Sequence, residues 1–176
     1  MGLVWLSSWL NALYTMMFSS SGQISQDSGT VSDVINNLKK KIPVIPLSDG
    51  SYSSVDDGTI WLHSDGLNPR FDDHGPEAFP VLYAKLRTVS PALLCAAATV
   101  DNSCLGESVM GNLIRMLQRI GVQRVSAPEI VKVHIFPAIS DDKITIGNKT
   151  LMIEYLSFVM SHCNQVVPPV TLKGDK

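Results

Sequence analysis

The chain has 176 residues, 45% of them hydrophobic, with a net charge of -2 and a pI near 6.0. That is enough apolar material for a folded core and excludes a disordered chain. A protein dedicated to gripping bare nucleic acid carries a basic excess, which is missing here, so direct RNA binding is the less favoured partner reading.

Residues 1–20 read as an apolar N-terminal arm. The run LVWLSSWLNALYTMMF spans about 24 Å as a helix, short of the hydrocarbon core of about 30 Å, which disfavours a membrane-spanning segment. The first basic residue is Lys39, so the charged start of a secretory signal is also missing. Gly2 invites lipidation, but Leu6 stands where that pattern wants a hydroxyl. Ser8, Asn11 and Thr15 form one narrow polar stripe beside Ser7. The rest of the circumference is apolar and needs a bilayer interface, a partner subunit or the chain's own core. Trp5, Trp9, Leu10, Leu13, Tyr14, Met17 and Phe18 are the expected association residues, with lipid or a partner preferred over self-docking because aromatic rings suit such boundaries.

Residues 21–30 look like a flexible Ser/Gly linker, leading into an α+β body over 31–166 with about four helices and a fraying tail over 167–176. VSDVINNLKKK reads as a helix ending in three lysines and stopped by Pro43 and Pro46. From 47 to 80 the Asp-Gly turns predict short strands and loops, with Thr59–His63 as one strand. FPVLYAKLRTV reads as another strand. SPALLCAAATV starts a helix with Ser90 and Pro91. In GESVMGNLIRMLQRIG, Val109, Leu113, Leu117 and Ile120 set a core stripe and Gly121 the stop. EIVKVHIFP alternates like a strand, DDKITIGNKT like a strand into a turn, and TLMIEYLSFVMSHC like a largely buried helix.

No catalytic constellation emerges: no P-loop, no GxSxG and no dinucleotide fingerprint, so no enzyme and no cofactor are expected. Cys95, Cys104 and Cys163 read as reduced, mostly buried thiols. His63, Asp65, Asp72, Asp73 and His74 make the most metal-like cluster, but Asp-Gly turn chemistry alone accounts for most of its aspartates and is the preferred reading. Two charged surfaces stand out: a basic face of Arg115, Arg119, Arg124 and Lys132, and an acidic face of Asp56, Asp57, Asp72 and Asp73. Opposite patches on one small protein permit head-to-tail self-association.

An apolar arm, a linker and an α+β body with separated charge resemble, in size and organisation, the matrix proteins of rhabdovirus-type viruses, including the shorter ones of plant viruses. The resemblance implies a viral structural protein of the virion, host cytoplasm and membrane. It would self-associate and link a nucleocapsid protein to a membrane surface. A non-enveloped capsid or accessory subunit, and a metal-dependent hydrolase using the His/Asp loop, are the alternatives.

Overall fold

A computed structural model describes residues 2–18, 28–40, 42–63, 77–101, 108–140 and 148–162. The fold is α+β: among these residues there are seven helices, more than the four expected, and four two-residue strands in two small sheets. Instead of a single body over 31–166, the described residues cluster into two units. One holds 2–63 and 87–124, the other 77–86 and 125–162.

In the first unit, α1 (Leu3–Phe18) packs on α4 (Pro91–Asp101) and α5 (Val109–Arg119). The expected arm is therefore a docked core helix. Leu6 and Leu10 are fully buried, and Leu3, Trp9, Leu13, Tyr14 and Phe18 lean on the same cluster as Leu93, Leu113, Met116 and Leu117. Burial of that many large side chains against the chain's own core outweighs what an exposed arm offers. The polar stripe does not obstruct it, because the Ser7 and Thr15 hydroxyls find local acceptors. Ser7 Oγ donates to the Val4 carbonyl at 2.9 Å and Thr15 Oγ1 to the Asn11 carbonyl at 3.0 Å. Asn11 Oδ1 in turn accepts from Nδ2 of the buried Asn112 on α5 at 3.0 Å, which fixes how the two helices align.

α5 follows its sequence pattern. Ser108 caps it by accepting from the Gly111 amide at 3.1 Å, and Val109, Asn112, Leu113, Met116 and Leu117 are buried. At its end Gly121 takes φ 106°, a conformation L side chains resist, and the chain turns directly into a strand. That strand, β4 (Gln123–Arg124), runs parallel to β3 (Trp61–Leu62). β1 (Ile45–Pro46) and β2 (Tyr52–Ser53) form an antiparallel hairpin over the Asp-Gly turn, where Asp49 accepts from the Ser51 amide at 2.9 Å. α2 (Ser28–Lys40) begins inside the stretch expected as linker, buries Leu38, and places Lys39 and Lys40 in its last turn.

The second unit is helical where two strands were expected. FPVLYAKLRTV contains α3 (Pro80–Tyr83), started by proline at the first turn; only Thr88 and Val89 make isolated strand-like bridges, and they fall in the first unit. EIVKVHIFP lies in α6, made of Ala127–Ile130 and Phe136–Ser140 joined by a π-helical turn, Val131–Ile135. Pro128 again sits at the helix start. Val131 and Ile135 are buried whereas Val133 is exposed, so the alternation hid a helical spacing of four. α7 (Lys149–Ser161) is capped by Asn148, whose Oδ1 accepts from the Leu151 amide at 3.1 Å. Its inner face is Leu151, Tyr155 and Phe158. Phe158 meets Phe79 edge to face at 5.2 Å, and Glu154 Oε2 accepts from the Leu82 amide at 2.8 Å, tying α7 to α3. The strand expected at 141–147 and the tail at 167–176 lie outside the described residues.

Candidate protein-docking surface

Docking divides α1 into two faces. Inward lie Leu6 and Leu10; outward, at spacings of four, three and four, lie Trp5, Trp9, Ala12 and Met16. Trp5 is 53% exposed and Met16 55%, while Trp9 is half-buried. The Trp5 and Trp9 rings stack with centroids 6.1 Å apart and planes 7° from parallel. Stacking restricts both rings, so an incoming surface has less side-chain entropy to freeze there. Ala12 leaves a shallow step between the indoles and Met16. Val4 is exposed beside this ridge, which carries no charge. No helix among the described residues is long and apolar enough to cross a membrane.

The expected association residues therefore divide by depth. Leu10 belongs to the core, Leu13, Tyr14, Met17 and Phe18 are half-buried, and only Trp5 with part of Trp9 faces outward. Tyr14 and Phe18 pair at 5.2 Å, and the Arg119 guanidinium lies 4.8 Å above the Phe18 ring. That cation–π contact ties α1 to α5. Arg115, Arg119 and Arg124 are all exposed and off the apolar stripe of their unit, while Lys132 is exposed on the second unit. On the acidic side, Asp56 and Asp57 are exposed; Asp72 and Asp73 lie outside the described residues.

Asp57 is the centre of a polar knot that sequence reading missed. Its Oδ2 accepts from the Ser54 amide at 3.1 Å, from Ser53 Oγ at 2.9 Å and from Ser54 Oγ at 3.0 Å. Arg87 Nη2 donates to Ser53 Oγ from the other side. These hydrogen bonds, the Ser54 amide first, hold the Asp57 carboxyl below its ordinary value of 3.8. A carboxylate so stabilised is a poor base, so the two serines read as parts of a turn and not as nucleophiles. Gly58 closes the knot at φ 128°, and a Cβ there would stand 2.8 Å from Arg87 Nη1. Gly58→Ala should consequently destabilise the first unit by about 1–3 kcal/mol, read from a urea melt. The SSVDDG turn, with serine at the cap and aspartate three residues on, was the available signal.

Of the expected metal cluster only His63 is among the described residues. His63 is half-buried, and that burial pushes its imidazole below the ordinary 6.5. Asp65, Asp72, Asp73 and His74 fall outside the described residues, and no group of three metal-ligating side chains occurs among those described. Cys95, expected as a buried thiol, is exposed on α4. In the second unit, His134 Nε2 lies 3.1 Å from Tyr155 Oη, and burial lowers the histidine's pKa and raises the tyrosine's. Both shifts favour a neutral pair, suited to packing more than to proton transfer.

No family model matches the chain, and no solved structure matches it. Among known proteins it is 44% identical over 162 residues to Protein NO VEIN of Arabidopsis thaliana. The match takes in 92% of this chain and spans 6% of that relative's length. Likeness at this level to a plant protein overturns the viral matrix reading together with its nucleocapsid, lattice and membrane partners and its virion location. The chain is similar to a small part of a far longer plant protein.

Proposed function

We propose that the chain is a binding module without chemistry of its own, a folded piece of the kind built into Protein NO VEIN, which docks onto other protein surfaces through the outer face of α1. One observation carries this reading: a helix whose inner face is already spent on the core still presents Trp5, the outer part of the Trp9 ring stacked on it, and Met16 to solvent. Aromatic and methionine side chains are enriched at the centres of protein interfaces, where they bury large area from few rotatable bonds. The match to 6% of a long polypeptide supplies the setting, because a module inside such a chain has neighbouring domains to pack against. The commitment of the Asp57 carboxylate to Ser53 and Ser54 supports a role other than catalysis.

The test uses recombinant segments of the Arabidopsis relative from outside its matched stretch, titrated against the 176-residue chain with tryptophan emission as the signal. A segment that docks on the ridge should shift the emission to the blue, since Trp61 is already buried and Trp5 is the ring left to desolvate. Ala12→Glu places a charge on the exposed midpoint of the ridge and should weaken that binding by about a hundredfold while leaving the melting temperature within a degree or two. Failure of every segment to bind, or equal binding by Ala12→Glu, would remove the proposal.

A further inference from the structure

α6 leaves α-helical geometry at one place. In its Val131–Ile135 turn the Phe136 amide donates to the Val131 carbonyl, five residues back, an arrangement that is rare and concentrated at functional positions. His134 is the polar side chain this turn brings inward. It stands three residues beyond Val131 and four short of Ala138, both buried, and so reaches α7 from the margin of the inner face. Its Nε2 lies 3.1 Å from Tyr155 Oη, and the two rings meet edge to face with centroids 5.8 Å apart and planes at 88°. The direction of this hydrogen bond follows from the surroundings of Tyr155. That residue is 2% exposed, and among the described residues its hydroxyl has no acceptor besides His134. The hydroxyl therefore donates, and a neutral imidazole accepts at Nε2 with its own proton on Nδ1.

A protonated ring cannot accept at Nε2. Protonation would leave the Tyr155 proton buried without an acceptor and put a positive charge in a half-buried site. Among the described residues no carboxylate offsets that charge. On α7, Glu154 accepts from the Leu82 amide, His162 Nδ1 donates to the Phe158 carbonyl, and Lys149 is exposed. On α6, Glu129 and Lys132 are exposed, and on the α3 side Lys85 is exposed and Tyr83 half-buried. We infer that the His134–Tyr155 contact is an acid-sensitive latch between α6 and α7, which holds the π turn against α7 while the ring is neutral and releases it when the ring is protonated. Burial, with no charged neighbour acting beside it, holds the histidine below its ordinary 6.5. The opened pair thus takes up the proton more readily than the closed one, so the latch is fully closed above 6.5 and weakens as pH falls below that value. The device lies within the second unit and stands whether or not α1 docks a partner.

The test is hydrogen exchange of the full chain, resolved by peptide, at about pH 7.5 and about pH 5.5, with the intrinsic dependence of exchange on pH divided out. In the parent, opening at residues 131–138 and 151–158 should rise about fivefold or more on acidification. His134→Gln keeps an acceptor for the Tyr155 hydroxyl but does not titrate, so its opening should change by less than about twofold. Tyr155→Phe removes the donor that protonation strands, and its acid response should be about half the parent's or less. The His134 ring, followed by NMR in the parent, should titrate with a midpoint below 6.5. These last two readings decide the matter even where His134→Gln fails to fold. An absent acid response in the parent, a response of parent size in either variant, or a ring midpoint at or above 6.5 would overturn the inference.

Discussion

Leu10→Ala should destabilise the first unit by about 2–5 kcal/mol, read as a fall of about 10 °C or more in its melting temperature. Leu10 has no exposed surface and belongs to a cluster with Leu93, Leu113 and Leu117, where close packing leaves no room for the walls to collapse into the cavity. Deleting residues 2–18 should go further and unfold the unit. That deletion strips away two fully buried leucines and five partly buried side chains, each contributing about 1.5–3 kcal/mol when fully buried. The sum approaches the whole stability of an ordinary domain, about 5–15 kcal/mol. A truncated protein that melts like the full chain would restore the free-arm reading.

Phe158→Ala should have the largest effect in the second unit, about 3–5 kcal/mol. Phe158 is 1% exposed, and its ring contacts both Phe79, edge to face at 5.2 Å, and His162, tilted at 4.3 Å. Truncation therefore opens a cavity and also removes two ring contacts worth about 0.5–1.5 kcal/mol apiece beyond area. Hydrogen exchange at the α7 amides should rise correspondingly. Ile153→Ala, on the exposed side of the same helix, should change stability by less than about 1 kcal/mol.

The contrast between these two positions shows what the sequence made legible. α5 could be read in full, because its apolar residues occupy one side and its arginines the other. α1 and α7 were legible as helices but not as faces. Each is apolar nearly all round, so periodicity cannot say which side meets the core. For α1 the decision rests on Asn11 meeting Asn112, a contact across 101 residues that no local pattern announces. The two missed helices have a different cause: Val131-Lys132-Val133-His134-Ile135 fits a period of two as well as a helix does, and the prolines at 80 and 128 were the better guides. The strands pair over only two residues each, too short for any pattern to define. The polar knot was hidden because Arg87 comes from a point 34 residues beyond Ser53.

The assignment of α1 as core on one side and docking ridge on the other is tested most directly by the dissociation constant of Ala12→Glu for a segment of the Arabidopsis relative that the parent chain binds. A constant raised about a hundredfold in a variant that melts like the parent is the expected result. An unchanged constant, or a loss of binding accompanied by unfolding of α1, would contradict it.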